Sequence, residues 1–318
     1  MNLASHPVVA SLTPVFLLIA AGFLAGRRQW IRESAVRDLS NLVFLLLIPA
    51  LLFRTMSGVH VQALDLRPVL AYFPAALLLL GLSIAWRGFN RTSVVLALGG
   101  VFSNMVMIGI TLVELAYGKA ALVTLLTLVS VHALILLTVG SVVLELVVAR
   151  EARQGGERAP HVLETAWSAF KGALIHPIPL PILSGLLYAQ TGWGLPAAID
   201  KPLQLLGSAF GPIALVLVGV TLARTPLRGQ LAPALGITLS KNLVLPLLVG
   251  ISAWAWGITG LPLTVMVVAA ALPIGANVFL FAQRYEVAQE LTTAAMGVST
   301  ALALFTLSAV MLMMTYLN

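Results

Sequence analysis

The chain has 318 residues, 60% of them hydrophobic and only 9% charged. A mean hydropathy of +1.02 is more than the surface of a soluble domain of this size tolerates, so the sequence reads as a polytopic membrane protein. No cysteine is present, which excludes disulfides and thiolate metal sites, and the net charge of +7 is spread over loops, which reads as topology and not as a nucleic-acid surface.

Apolar windows of about 20 residues fall at 7–26, 38–57, 68–86, 94–117, 121–148, 173–192, 203–223, 231–257, 262–282 and 291–316, which predicts ten spans joined mostly by short loops. Residues 1–6 hold no Lys or Arg, so the first window is expected to be a span and not a cleaved leader. The loops after spans 1, 3, 5, 7 and 9 carry thirteen Lys and Arg residues, including Arg27, Arg28, Arg37, Arg87, Arg91, Arg150 and Arg224. The opposite loops carry four: Arg54, Arg67, Lys119 and Lys201. Because basic loops stay in the cytoplasm, both termini are expected outside it. The remaining base, Lys241, lies inside span 8.

The longest polar stretch, Ala149 to Trp167, is the one plausible linker. It divides the chain into a five-span unit at 1–149, a cytoplasmic linker at 150–172 and a second five-span unit at 173–318. Five is odd, so if the units are repeats they are inverted in the membrane. Placing Tyr117 on Tyr285 sets Asn104 against Leu272 and Met105 against Pro273, so the interruptions of spans 4 and 9 share one depth. Pro49 in span 2 and Pro212 in span 7 add a weaker match.

Those interruptions are the chemistry-bearing part of the sequence. Span 4 contains Gly99-Gly100 and then SNMVMIGITLVELAYG, Ser103 to Gly118; span 9 contains ALPIGANVFLFAQRY, Ala271 to Tyr285. Proline removes a donor and frees carbonyls, which hydrocarbon tolerates only where they line protein or an aqueous cavity. Pro273 is suited to open a second half-helix, Gly275 to permit a close approach, and Asn277 to supply a side-chain donor and acceptor. Two broken helices crossing at mid-depth would aim two half-helix N-termini at one point, which favours an anion. The plainer reading is that Gly and Pro are common in membrane helices and that an Asn bonds neighbouring helices for about 1 kcal/mol; the coincidence in both halves favours a site.

Lys241 lies roughly 15 Å into span 8, where an ionisable group is costly and is a functional candidate by default. The alternatives are a charge partner or coupling group for an anion, and an ammonium paired with a carbonyl freed by Pro246 or with an amide. His132 is also deep; a lone neutral imidazole bonded to a neighbouring helix is its ordinary account, and it stays with Lys241 as a candidate coupling residue. Glu145 is expected to reach the cytoplasmic interface, and Glu114 and Lys119 to snorkel at the outer end of span 4. Arg54, His60 and Arg67 near the outer mouth read as a solvated face, with the steering of anions as the alternative. His176 with Pro177, Pro179 and Pro181 reads as shaping the start of span 6.

The segments Gly26 to Met56, Ser103 to Gly118 and Ala271 to Leu307 are together similar to the auxin efflux carrier family, which includes plant PIN-type exporters and bacterial malate or malonate permeases. The resemblance covers essentially the whole chain. It implies ten transmembrane helices as two inverted five-helix repeats, with broken helices 4 and 9 crossing at the site. It also implies a scaffold of helices 1, 2, 6 and 7, a transport domain of helices 3–5 and 8–10, an elevator-like movement, and often a homodimer, here in a bacterial inner membrane. By position, Asn104 matches the crossover Asn of the family, and Pro273 and Asn277 fall on its helix 9 crossover. This chain departs from the family in its short linker and in Ile110-Thr111, where many relatives have a proline after the glycine.

The resulting expectation is a secondary active transporter of small organic anions that carry a carboxylate, auxin-like or dicarboxylate. Ser103, Asn104, Pro273, Gly275 and Asn277 would form its site, with Lys241 or His132 as charge partner. The expected partners are that anion, the bilayer and a second copy of the chain; no cofactor, metal, catalytic residue or nucleic acid is expected. A sodium-coupled symporter of the bile-acid type shares the ten-helix plan but would favour an acidic side chain near the crossing. A ligand sensor would need an output domain, and an intramembrane enzyme would need an Asp pair, a Ser-His set or a metal cluster at one depth.

Overall fold

The structure is a computed structural model that describes residues 7–59, 64–154, 178–225 and 229–317, with 164, 167 and 171 between them. Among the described residues it is helical apart from loops and two unwound pieces around Ser103 and Ile274, as hydrocarbon favours peptide groups that find partners within their own segment. In chain order the helices are α1 (Pro7–Arg27), α2 (Glu33–Leu42), α3 (Ile48–Met56), α4 (Arg67–Arg87), α5 (Arg91–Gly99), α6 (Ile110–Gln154) and α7 (Pro179–Ala189). These are followed by α8 (Ala197–Ala223), α9 (Leu231–Leu239), α10 (Leu245–Ala255), α11 (Gly260–Ala271), α12 (Asn277–Arg284) and α13 (Gln289–Leu317).

Wide π turns join α2 to α3 at Val43–Leu47 and α9 to α10 at Ser240–Val244, and a third, Met105–Gly109, leads into α6. In the first two, Ile48 donates to Val43 and Leu245 to Ser240, five residues back, just ahead of Pro49 and Pro246. A proline ring needs room at the preceding turn and brings no donor, so one wider turn accommodates it without ending the helix. Helix α6 has 45 residues, which at 1.5 Å each would be about twice the bilayer's apolar thickness. It is in fact two helices joined at Gly118, whose φ of +77° suits a residue with no Cβ. The joint falls between the fourth and fifth sequence windows.

Among the described residues, seven helices are long and apolar enough to cross a membrane, α2–α3 and α9–α10 each counting as one through its π turn, and α7 and α11 are shorter apolar helices. The sequence windows number ten because α6 holds parts of two, the window at 173–192 overlaps the short α7, and the window at 262–282 falls on the α11–α12 pair. Trp30, Trp86, Trp193 and Trp254 stand exposed at helix ends, Trp86 at 83% and Trp254 at 80%, where an indole meets the membrane–water boundary.

The helices pack as two sets. In one, α8 lies against α1, α2 and α3, and α7 against α3. Here backbones touch: a side chain at Gly22 would strike the Val216 carbonyl, one at Gly219 the Ile19 carbonyl, and one at Gly185 the Phe53 carbonyl. In the other, α9 packs on α13, α10 on α4 and α11, and α11 on α6 and α13. The sets meet where α1 touches α6 and α13, and where Gly211 of α8 makes room for Thr111 of α6.

Several polar residues lie elsewhere than the sequence led one to expect. Glu145 is buried within the protein, accepting a hydrogen bond from the Tyr285 hydroxyl at 2.9 Å, with Arg284 at 4.0 Å. Arg54 is held by both carboxylate oxygens of Asp200, at 2.7 and 3.2 Å, and so is not a free mouth cation. Arg67 grips Asp65 in the same way and holds that carboxyl below its ordinary range. The linker opens as helix, since α6 runs to Gln154 and Glu151 pairs with Arg91 at 2.7 Å. Most of the linker, together with His60, His176 and Pro177, lies outside the described residues.

Candidate functional site

The site is built from two helix endings. Helix α5 starts on Asn90, whose side chain accepts from the Ser93 amide at 2.9 Å, and it ends at Gly99. Helix α11 ends at Ala271 because Pro273 disfavours helical geometry at the residue before it, and Leu272 is accordingly extended, with φ −58° and ψ 150°. The two unwound pieces lie antiparallel with Ser103 opposite Ile274. The Asn104 amide donates to the Pro273 carbonyl and the Gly275 amide to the Phe102 carbonyl, each at 2.8 Å. Each broken helix thus satisfies backbone groups that the other has freed, which an apolar surrounding requires. A Cβ on Gly275 would lie 3.1 Å from the Ser103 carbonyl oxygen and from the Phe102 ring, so this approach depends on glycine.

The register differs from the tyrosine-based alignment. The crossing pairs Ser103 with Ile274, whereas Gly118 and Glu286, each with positive φ, follow Tyr117 and Tyr285. The arm from crossing to turn is therefore longer in the first half, and that arm contains a π turn.

The central peptide of each strand gives its amide to a side chain on a later helix. Ser103 N donates to His132 Nε2 at 3.4 Å, and Ile274 N to Ser299 Oγ at 3.0 Å. Ser299 Oγ in turn donates to Asn242 Oδ1 at 2.8 Å, while Asn242 Nδ2 donates to Ser299 O at 3.1 Å and Thr306 Oγ1 at 3.3 Å. Tyr72 and Ser103 share a hydroxyl–hydroxyl bond of 3.1 Å. Lys241 is completely buried, and its Nζ donates to Ala270 O at 2.5 Å and Leu272 O at 2.6 Å. Those carbonyls end α11, where the helix dipole is negative.

Two cavities flank the crossing. The smaller, about 60 Å³, is lined by Ser103, Asn104, His132, Gly275, Asn277 and Phe44 among others, with room for about two waters. The larger, about 170 Å³, runs from Asn104, Ile274 and Ala276 past Thr221, Thr293 and Thr300 to Ser40 and Thr225. Asn104 borders both. Its Oδ1 caps the following half-helix by accepting from Met107 N at 3.2 Å, and its Nδ2 has no partner among the described residues.

Of the residues singled out from sequence, Ser103, Asn104, Gly275, Asn277 and His132 therefore come together on one cavity. Pro273 forms the crossing itself, and Lys241 sits behind it, bonded to carbonyls freed by the break at Pro273 and not by Pro246. The sequence reading missed Tyr72, Asn242 and Ser299. Asn242 had a visible signal, a second polar residue beside Lys241 in an apolar run, whereas a tyrosine and a serine in such runs carry none. Among the described residues, no Asp or Glu lines either cavity and no group of His, Asp and Glu is gathered as for a metal.

The architecture is that of a multi-pass membrane protein whose polar residues converge on a break within the bilayer, the class of solute-handling membrane proteins. The Membrane transport protein family matches residues 7–311, and the chain belongs to it: it is a membrane transporter, and the resemblance to auxin efflux carriers holds across the chain. That family is one of transporters and not of enzymes. The chain is 26% identical over 309 residues to a Rhizobium meliloti (strain 1021) protein named "Putative malonate transporter", covering 95% of this chain and 94% of that one. It is 24% identical over 301 residues to "Uncharacterized transporter YfdV" of Escherichia coli (strain K12), covering 92% of each.

Proposed function

We propose that the protein is a secondary carrier of small carboxylates and that the crossing is its substrate site. The observation that carries this reading is the cavity chemistry: two amides, Asn104 and Asn277, at two half-helix N-termini, with no lining carboxylate among the described residues. Such a site offers donors and positive dipole ends, and a carboxylate is the complementary ligand. Lys241 adds an amino group behind the crossing, held by the carbonyls that end α11. The name of the Rhizobium relative points to a dicarboxylate.

In the same reading the chain makes ten crossings as two inverted five-helix repeats, 1–149 and 173–318, with both termini outside the cytoplasm of a bacterial inner membrane. The like treatment of the Ser103 and Ile274 amides supports the repeat. The set containing α1–α3, α7 and α8 is the scaffold, in a homodimer, and the set containing α4–α6 and α9–α13 is the transport domain that moves against it. The division of the packing supports that split. Sodium is not required, because the carbonyls ending α11 that could ligate it already hold Lys241.

The test is thermal stabilisation of the purified protein by malonate, malate and indole-3-acetate, each with and without sodium, and again in Asn104→Ala. A carboxylate should raise the melting temperature in sodium-free buffer, and the variant should lose that rise. Stabilisation that needs sodium would transfer the assignment to a sodium symporter, and an unchanged response in Asn104→Ala would remove the crossing from the site.

A further inference from the structure

The two central peptides of the crossing are held alike, yet by chemically different groups. Ser299 is part of a closed set: its hydroxyl accepts from Ile274 and donates to Asn242, and no titratable group is involved. His132 occupies the corresponding role in the first half, at a longer distance of 3.4 Å. To accept at Nε2 the imidazole must be neutral with its proton on Nδ1. No described residue takes the Nδ1 proton in a hydrogen bond, and the ring borders the smaller cavity with Asn104 and Asn277.

Resting on the carboxylate reading above, we propose that His132 is a proton-binding site, taking up a proton as the carboxylate enters the crossing so that the anion and one proton cross together. An imidazolium has two N–H donors and no acceptor, so protonation ends the bond from Ser103. The Ser103 amide and the new Nε2–H would then face each other as two donors, so the ring must turn away, and a carboxylate entering between them accepts from both through its two oxygens. No covalent bond forms or breaks; the proton arrives from water and leaves to water on the far side.

The surroundings make the two events interdependent. The groups facing His132 are the Tyr72 ring on α4, Ser103 and Phe102 in the crossing, and Phe73, with Asn104, Asn277 and Phe44 lining the same cavity. Lys241 lies behind the crossing, and among the described residues none of the groups that face the ring is acidic. An imidazolium there has no counter-charge until an anion arrives, and the anion gains this cation only once the proton has bound. Each ligand therefore raises the affinity for the other, the condition for coupled movement.

The experiment uses the full chain in sodium-free proteoliposomes with the membrane potential clamped at zero and radiolabelled malonate as probe. Wild type should accumulate malonate about tenfold for a pH gradient of one unit, acid outside, if one proton accompanies each anion, whatever the net charge of the complex, because the potential is zero. His132→Gln keeps an acceptor for the Ser103 amide but cannot bind a proton, so it should lose accumulation in the pH gradient, and whatever malonate counterflow it keeps should no longer depend on pH. Accumulation that survives in His132→Gln overturns the proton site while leaving the carboxylate reading intact. A pH dye inside wild-type vesicles gives a second readout that needs no variant: anion entry without proton entry also overturns the proposal. Absence of malonate, malate and indole-3-acetate counterflow in wild type would remove the carboxylate reading, and the proton site with it.

Discussion

Lys241 places an ammonium against two carbonyl oxygens that the end of α11 leaves without helical donors. Removing the charge and keeping the length, as in Lys241→Met, strands both acceptors in a dry interior, at about 1–3 kcal/mol for each. A large fall in melting temperature in detergent is therefore expected with no substrate present. An unchanged melt, with only transport affected, would show that the carbonyls find other donors and that the ammonium acts on the solute alone. Residues of this kind were legible in the sequence because a charge or amide inside a long apolar run is costly wherever it points. Asn104, Asn277, Lys241 and His132 stood out for that reason. Their partners did not: Ser299 and Tyr72 are ordinary in membrane helices until a crossing peptide is found beside them, and the burial of Glu145 is set by Tyr285 in the turn after α12, 140 positions away.

At the scale of elements, the contact between α1 and α8 rests on residues that leave backbone against backbone. A Cβ at Gly22 falls on the Val216 carbonyl, so Gly22→Ala must push the helices apart and should destabilise by about 1–3 kcal/mol. Gly236 in α9 faces open space; Gly236→Ala should leave stability equal or raise it by about 0.5–1 kcal/mol. Thermal melts of the two variants side by side check the contrast, and equal effects would refute the packing argument. The break at Pro273 was readable from proline itself, and that at Ser103-Asn104 from polarity after a glycine pair. The π turns were not readable, since five-residue spacing leaves no pattern in composition, and α6 shows that a window count is not a helix count when a single glycine separates two helices.

For the molecule as a whole, the larger cavity leads from the crossing toward Thr225, Thr293 and Ser40, next to the loops that carry most of the basic residues. Because the chain has no cysteine, single substitutions report sidedness on a clean background. Thr225→Cys and Thr293→Cys should react with a membrane-impermeant maleimide from the cytoplasmic face, and Lys201→Cys from the opposite face. Labelling of all three from one face would reverse the topology argument. The charge asymmetry behind this prediction was plain in the sequence, while the division of the helices into two packed sets was not, because it depends on which faces meet.

The crossing also bears on how the protein is made. Its hydrogen bonds join residues 102–104 to residues 273–275, about 170 positions later, which a ribosome at about 5–20 residues per second reaches after roughly ten to thirty seconds. For that interval the Phe102 carbonyl and the Asn104 amide have no mate, and hydrocarbon penalises each by several kcal/mol. A nascent first half must therefore either run straight through this stretch as continuous helix or stay beside water or the insertion machinery, and it unwinds into its final form only when the second half arrives.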